Sequence, residues 1–193
     1  VIGSDGFGLA NDHGAWVKVP QIGRAILGDD VEVGSCTSVD RGAIGDTVLA
    51  DGVKLDSQVH VAHNVQIGMH SAFAGCSAVA GSSKIGAYCT LAGGAGVNGH
   101  VELADHVHVS ATTSVTRSIR KPGVYTATVP AMEHAAWSKN FARLRRLDRE
   151  RAAGRDPETA CGAPSVTPDE RLDLDQHGAR ALDAGEHGGA GRA

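Results

Sequence analysis

Aromatic residues are scarce in this sequence. They make up 4% of its 193 residues, whereas glycine occurs 26 times. So few large rings cannot fill the core of an ordinary two-layer sandwich, and the composition favours a repetitive β fold with small residues at its corners. The length allows one domain of ordinary size followed by a tail.

The sequence also lacks a strong charge of one sign, a long hydrophobic run and a cysteine motif. A formal net charge of −4 gives no basic field for nucleic acid. No stretch approaches the roughly 20 apolar residues of a transmembrane helix, and we expect no signal peptide. Cys36, Cys76, Cys89 and Cys161 show neither a CxxC motif nor paired spacing. These absences favour a reduced, cytoplasmic protein.

A six-residue repeat dominates the middle of the chain. An aliphatic or aromatic residue recurs at every sixth position and is followed by a small or short polar one; the recurring residues are Leu49, Leu55, Val61, Ile67, Phe73, Val79, Ile85, Leu91, Val97, Leu103, Val109 and Val115. This period belongs neither to an α-helix nor to a simple alternating strand. It predicts a parallel β-helix in which three hexads form one triangular coil and the coils stack about 4.8 Å apart. Repeats of this class wind left-handed.

Two interruptions and an abrupt end divide the chain. The spacing between Val39 and Leu49 predicts a bulge near residues 41–46, and residues 8–21 form a longer excursion. Such loops often carry binding groups, although tolerance of insertions explains them equally well. We predict an all-β fold, a left-handed β-helix catalytic domain over residues 1–120. An extension over 121–155 then carries a basic amphipathic helix, and 156–193 form a disordered acidic tail.

Two histidines, His63 and His100, are candidates for a functional site. His63 and His100 lie two coils and one residue apart, which places them about 10 Å apart on related parts of one face. They are too distant to share a proton but could flank one substrate. A γ-class carbonic anhydrase site needs three histidines converging on zinc. His60 is a third candidate, but it should diverge from His63 on a flat coil side. We therefore expect no metal site and a simply solvated His60.

Five segments, in this order and spacing, resemble the UDP-3-O-(3-hydroxyacyl)glucosamine N-acyltransferase family. They are residues 1–8, residues 16–23, Asp40-Arg41-Gly42-Ala43, Ala62-His63-Asn64-Val65 and Val97-Asn98-Gly99-His100. The resemblance covers residues 1 to about 145. It implies a cytoplasmic homotrimer with active sites in grooves between neighbouring prisms. Such enzymes, in lipid A biosynthesis, move a 3-hydroxyacyl chain from the phosphopantetheine thioester of acyl carrier protein to a sugar 2-amino group, with no other cofactor.

The same resemblance assigns catalytic roles to four residues. His63 matches the general base, and Asp56 matches a carboxylate that would orient or polarise its imidazole. His100 matches a second histidine that would contact donor or substrate. Gly81 matches a position whose backbone N–H would stabilise the tetrahedral oxyanion. Asp56 could equally be a corner residue satisfying the backbone, and Gly81 an ordinary corner glycine.

Acyl and carrier contacts are also implied. Thr112, Ser114 and Thr116 stand where family members can carry bulky methionines, so the acyl groove is expected to be deeper or differently shaped. A basic rim would suit the acidic carrier protein, although a solvated helix face explains most of it equally well; it contains Arg117, Arg120, Lys121, Lys139, Arg143, Arg145 and Arg146. Small residues such as Ser71, Ser77 and Ser83 are expected on one flat outer face, available for trimer contacts.

One departure from the family leaves alternatives open. Family members carry a globular domain before the prism that contacts the uridine, and this sequence lacks it. We expect either a fragment or a truncated paralogue. The alternatives to lipid A N-acylation are an acyltransferase acting on a smaller acceptor, perhaps with a coenzyme A donor, and a non-catalytic trimeric scaffold.

Overall fold

A computed structural model describes residues 1–147. Most of its strands contain only two or three residues, as expected when each hexad forms one short side of a coil. In chain order the elements are β1 (Ile2–Ser4), β2 (Leu9–Asp12), β3 (Ala15–Lys18), β4 (Ala25–Leu27), β5 (Glu32–Val33), β6 (Ser38–Asp40), β7 (Thr47–Leu49), β8 (Lys54–Leu55), β9 (His60–Val61), β10 (Gln66–Ile67), β11 (Ala72–Phe73), β12 (Ala78–Val79), β13 (Lys84–Ile85), β14 (Thr90–Leu91), β15 (Gly96–Val97), β16 (Glu102–Leu103), β17 (Val107–Val109), β18 (Ser114–Val115), β19 (Gly123–Tyr125) and α1 (His134–Leu144).

The strands form three parallel sheets, one on each side of a triangular prism. The first sheet has the order β1-β6-β9-β12-β15-β18, the second β16-β13-β10-β7-β4, and the third β19-β17-β14-β11-β8-β5. Successive strands of the repeat therefore lie in different sheets, and every third strand returns to the same one. In the third sheet Ala72 pairs with Lys54 on one side and with Thr90 on the other. The predicted parallel β-helix is confirmed.

The prism interior contains the recurring apolar residues. Leu49, Val79 and Val109 have no exposed surface, and Phe73 is 2% exposed. Burying such side chains is the main source of stability for a fold with so few aromatic residues.

The expectation that Ser71, Ser77 and Ser83 lie on an outer face is wrong, since all three are fully buried. Side chains alternate along a strand, so the residue two positions before each apolar residue also points inward. The hydroxyl groups are hydrogen-bonded to backbone carbonyls: Ser71 Oγ donates to Gly86 O at 3.0 Å, and Ser83 Oγ to Asn98 O at 2.8 Å. The interior is therefore partly polar, with its hydroxyls paired.

Corners of the prism use left-handed backbone. One residue in each hexad from residue 58 to residue 112 has φ between 54° and 66°; these are Gln58, Asn64, His70, Cys76, Ser82, Tyr88, Gly94, His100, His106 and Thr112. Most of these are not glycine, although the left-handed region is normally costly for other residues. The regular hydrogen bonding between coils imposes the conformation at every turn.

Both predicted interruptions are present. The excursion forms an antiparallel hairpin of β2 and β3 that turns at His13 and Gly14. The bulge lies between β6 and β7, where Arg24 pairs with Asp46 at 2.7 Å. Hydrogen bonds from Arg24 lower the pKa of the Asp46 carboxyl below its ordinary value. Both insertions therefore have defined structure.

The β-helix continues past the expected end at residue 120. β19 pairs in parallel with β17, which adds a strand to the third sheet. A separate unit begins at Ala131 and contains α1, whose first turn is capped when Glu133 Oε2 accepts from Ala136 N. The expected helix end at Gly154 and the tail over 156–193 lie outside the described residues. Within residues 1–147, no helix is long and apolar enough to cross a membrane.

A buried serine gives a test of the polar interior. Ser71 Oγ donates to Gly86 O and accepts from Cys89 N at 3.0 Å. We expect Ser71→Ala to lower the free energy of unfolding by about 1–3 kcal/mol, because it leaves a buried N–H and a buried carbonyl unpaired. Urea unfolding at fixed protein concentration measures this. Ala72→Ser, on the outward side of the same strand, is the control. Equal stability of both variants and the wild type would contradict the prediction.

Candidate active site around His63

His63 lies at the corner where the first sheet passes to the second, directly after β9. Its side chain is half-buried between two glycines from different parts of the chain. A Cβ atom on Gly6 would lie 2.7 Å from His63 Cβ and 2.9 Å from Cδ2, and one on Gly81 would lie 2.7 Å from both Cε1 and Nε2. The imidazole can therefore occupy this place only because both neighbours lack a side chain.

Asn64 fixes the orientation and tautomer of the imidazole. Its Oδ1 lies 3.0 Å from His63 Nδ1 and also accepts from Ala43 N at 3.0 Å. Its Nδ2 donates to Gly45 O at 3.0 Å, which prevents the amide from turning round. An amide oxygen can only accept, so His63 Nδ1 carries a hydrogen, and in the neutral ring the lone pair is on Nε2. Sequence reasoning missed this residue.

Gly81 lies one coil above His63 and presents a free donor. Among the described residues its N–H has no hydrogen-bond partner, while its carbonyl accepts from His100 N at 3.1 Å. The left-handed corner position belongs to the next residue, Ser82, so the local backbone does not require glycine at Gly81. The close approach of the His63 ring requires it instead. Gly81 is therefore not an ordinary corner glycine, and its role as an oxyanion donor stays a prediction.

His100 lies at the same corner of the prism, one coil and one residue beyond Gly81. It occupies the left-handed position that Asn64 and Ser82 occupy on earlier coils, and its side chain is exposed. The structure therefore places His63, Gly81 and His100 along one edge of the prism, as expected for residues that flank one substrate.

Asp56 lies at a different corner, after β8 in the third sheet. Its Oδ1 accepts from Ser57 N at 2.7 Å, and the residue lines an open cavity of about 760 Å³ with Ala72, Ala74 and Ala92. Within residues 1–147, no hydrogen bond or ion pair joins it to His63. The predicted orienting carboxylate is thus not beside the imidazole of its own chain, where Asn64 takes that place.

The predicted acyl-binding residues Thr112, Ser114 and Thr116 are all exposed near the end of the prism. Ser114 pairs with Gly96 in the first sheet, the same sheet that contains β9. The basic residues divide into two groups. Arg117, Arg120 and Lys121 are exposed at the end of the β-helix, whereas Lys139, Arg143, Arg145 and Arg146 belong to the unit that contains α1.

His60 is exposed, as expected, and its ring nitrogens also lie close to two side chains of β6. Its Nδ1 lies 2.8 Å from Ser38 Oγ, and its Nε2 lies 3.7 Å from the Asp40 carboxylate. Asp40 also accepts from Ser4 Oγ at 3.0 Å, which ties β1 to β6. In the described part of the chain, no three His, Cys, Asp or Glu side chains gather as a metal site would require.

Two solved acyltransferase structures have a similar fold. The UDP-N-acetylglucosamine acyltransferase of Francisella novicida matches with a TM-score of 0.59 and 20% identity, covering 72% of this chain and 51% of that one. The Arabidopsis UDP-N-acetylglucosamine acyltransferase matches with a TM-score of 0.56 and 18% identity, covering 85% and 57%. At such identity the likeness establishes the fold alone, a left-handed β-helix.

Sequence relatives are much closer. The UDP-3-O-acylglucosamine N-acyltransferase of Delftia acidovorans is 56% identical over 147 residues, which are 76% of this chain and 44% of that protein. The same-named protein of Bordetella pertussis is 48% identical over 164 residues, covering 78% and 45%. No family model matches. The chain spans less than half the length of these relatives, and it belongs to the UDP-3-O-acylglucosamine N-acyltransferase family.

Proposed function

We propose that the chain transfers a 3-hydroxyacyl group from acyl carrier protein to the 2-amino group of UDP-3-O-(3-hydroxyacyl)glucosamine, a step of lipid A biosynthesis in the cytoplasm. The observation that carries the proposal is the state of His63. Its Nδ1 is hydrogen-bonded to Asn64, and its Nε2 lies close to Gly81, whose N–H has no partner among the described residues. The names of the sequence relatives support this choice of acceptor.

The geometry supplies each proton transfer that the reaction needs. As the amine nitrogen attacks the thioester carbonyl, His63 Nε2 takes a proton from that nitrogen and a C–N bond forms. The carbonyl oxygen becomes an oxyanion, which the Gly81 N–H can stabilise. The C–S bond then breaks, and the imidazolium returns its proton to the departing sulfur as the amide product forms. The donor is the only activated group required.

Asn64 would hold the imidazole steady through this cycle. Its Oδ1 accepts from Nδ1–H whether Nε2 is free or protonated, so the ring need not turn between the two steps. The amide is itself held by Ala43 and Gly45 of the bulge. The bulge therefore serves as a support for the base.

A homotrimer would complete the site. Asp56 and His63 lie at different corners of one prism, so Asp56 could approach only the His63 of a neighbouring copy. The open cavity beside Asp56 is consistent with a surface that another prism covers. Thr112, Ser114 and Thr116 would then border the acyl chain, and His100 the substrate. Exposed Arg117, Arg120 and Lys121 offer positive charge to the acidic carrier protein.

Replacing the base tests the proposal directly. We expect His63→Ala to lower acyl transfer from 3-hydroxyacyl carrier protein to UDP-3-O-acylglucosamine by about 10²–10⁴-fold, the usual loss for a general base. His106→Asn, at an exposed corner in another column, is the control and should retain full activity. Inactive wild-type protein, or equal activity of His63→Ala, would contradict the proposal. Faster transfer from coenzyme A thioesters to smaller acceptors would favour the alternative acyltransferase.

Asn64 can be tested by comparing two substitutions. Asn64→Leu removes the acceptor for Nδ1–H, and we expect kcat to fall about 10²-fold, as for a displaced catalytic group. Asn64→Asp keeps an acceptor oxygen in place and should retain much more of the activity. Steady-state kinetics measures both, with thermal unfolding to confirm that each variant is folded. Equal losses in two folded variants would show that the acceptor oxygen is not what matters.

Gly81 gives a test that separates ring placement from the oxyanion donor. Gly81→Ala keeps the backbone N–H, but its Cβ would meet Nε2 at 2.7 Å. We expect kcat to fall about 10²-fold because the imidazole is displaced. Gly93→Ala is the matched control, since its Cβ would find its nearest neighbour, Gly75 O, at 3.6 Å. Unchanged kcat in Gly81→Ala would mean that the ring does not occupy this position during catalysis.

A further inference from the structure

Gln21 is a buried side chain with one end unpaired. It follows the hairpin of β2 and β3 and is 7% exposed. Its Nε2 donates to Val19 O at 3.1 Å and to Pro20 O at 3.4 Å. Its Oε1 is buried and has no hydrogen-bond partner within the described range. The carbonyl oxygens of Val19 and Pro20 can only accept, so the NH₂ group of the Gln21 side chain must be the one that faces them. Oε1 therefore points away from those two carbonyls.

The unpaired oxygen faces the segment that covers His63. A Cβ atom on Gly6 would lie 3.1 Å from Gln21 Oε1 and 2.9 Å from His63 Cδ2. A Cβ on Gly8 would lie 2.5 Å from Gln21 Nε2. Neither glycine has the positive φ that would by itself explain its identity. Both are explained by the side chains packed against them, which joins Gln21, residues 6–8 and His63 into one packed unit.

Several hydrogen bonds hold residues 5–8 in place. Ser4 Oγ donates to Asp40, and Val19 N donates to Gly8 O at 2.9 Å. Lys18 forms an ion pair with Asp5, and its hydrogen bond lowers the pKa of the Asp5 carboxyl. The segment is therefore anchored at both ends, and the buried Gln21 side chain packs against Gly6 and Gly8.

The charged groups on the elements around His63 already have partners. Asp5 is paired with Lys18 on the covering segment, and Asp46 with Arg24 on the bulge. Arg41 Nε donates to Gly23 O at 2.9 Å, and His60 on β9 lies beside Asp40. The Gly81 corner carries no charge, and His100 is exposed one coil further on. Among the described residues, Gln21 Oε1 is the buried side-chain nitrogen or oxygen that has no hydrogen-bond partner.

We propose that Gln21 is a positioning residue for His63, acting through Gly6. Its carbonyl oxygen lies no more than 6.0 Å from His63 Cδ2, since the two atoms would lie 3.1 Å and 2.9 Å from one Cβ atom placed on Gly6. A partial negative charge at that range favours the imidazolium that forms as the amine attacks. A buried acceptor without a partner costs free energy in the resting state. That cost is offset when positive charge develops on the ring, which is the pattern expected of a group that acts in the transition state. The inference rests on the role proposed above for His63.

The test follows the titration of His63 itself. Protein labelled with ¹³C at histidine Cε1 is titrated by NMR, and the His63 signal is assigned by its absence in His63→Gln. We expect Gln21→Met to move the His63 midpoint to lower pH and Gln21→Glu to higher pH, each by about half a unit or more. Opposite shifts cannot arise from loosened packing alone. Gln66→Met, at an exposed position on β10, should leave the midpoint unchanged.

Kinetics provides the second measurement. In Gln21→Met we expect kcat about three- to tenfold lower, with KM unchanged, because the substituted group does not touch substrate. If both Gln21 variants leave the midpoint in place or move it in the same direction, the inference is overturned. This holds even if His63→Ala abolishes acyl transfer. If the midpoints shift as expected but wild-type protein transfers no acyl group, the inference stands and the proposed function fails.

Discussion

Register between coils is the constraint on which the rest of this structure depends. A strand of two residues can form parallel hydrogen bonds only if the same position of the next coil lies directly above it, as Ala72 lies between Lys54 and Thr90. That requirement fixes the hexad, selects apolar residues for the interior, and forces left-handed backbone at each corner. It also creates columns of equivalent positions along the edges. His63 and Gly81 occupy one such column, which is why the imidazole of one coil packs against the glycine of the next.

The active site depends equally on the two places where this register is broken. A perfectly periodic prism would leave the His63 side chain exposed at its corner. The bulge between β6 and β7 supplies Ala43 and Gly45, which hold the Asn64 amide against Nδ1. The hairpin of β2 and β3 is followed by Gln21, which packs against Gly6 and Gly8. The regular part of the fold thus positions His63, the proposed base, while the insertions enclose and orient its side chain.

The sequence predicted the regular part well and the irregular part poorly, for a physical reason. Hexads such as those at Phe73 and Val79 predict the prism directly, because burial of every sixth residue requires an apolar side chain at each of those positions. Within each hexad, side chains also point alternately into and out of the prism, as in any β-strand. Because that alternation was overlooked, Ser71 was predicted on the outer face and is in fact buried. Resemblance to a family supplied His63 and Gly81. Asn64 and Gln21 escaped notice because their partners lie in insertions, where no period relates one residue to another.

Glycine without left-handed backbone is the signal that would have found these contacts. In this fold a corner glycine needs no special explanation when its φ is positive, as at Gly94. Gly6 and Gly81 have no positive φ, so their backbone conformation does not require glycine. A side chain is excluded at both positions by a neighbouring residue instead. In both cases the neighbour is His63. A half-buried imidazole that requires two glycines to fit is held by close packing on two edges and by Asn64 on a third. One of the two packed edges is the Cε1–Nε2 edge beside Gly81, so the proposed proton transfer at Nε2 would take place next to that glycine.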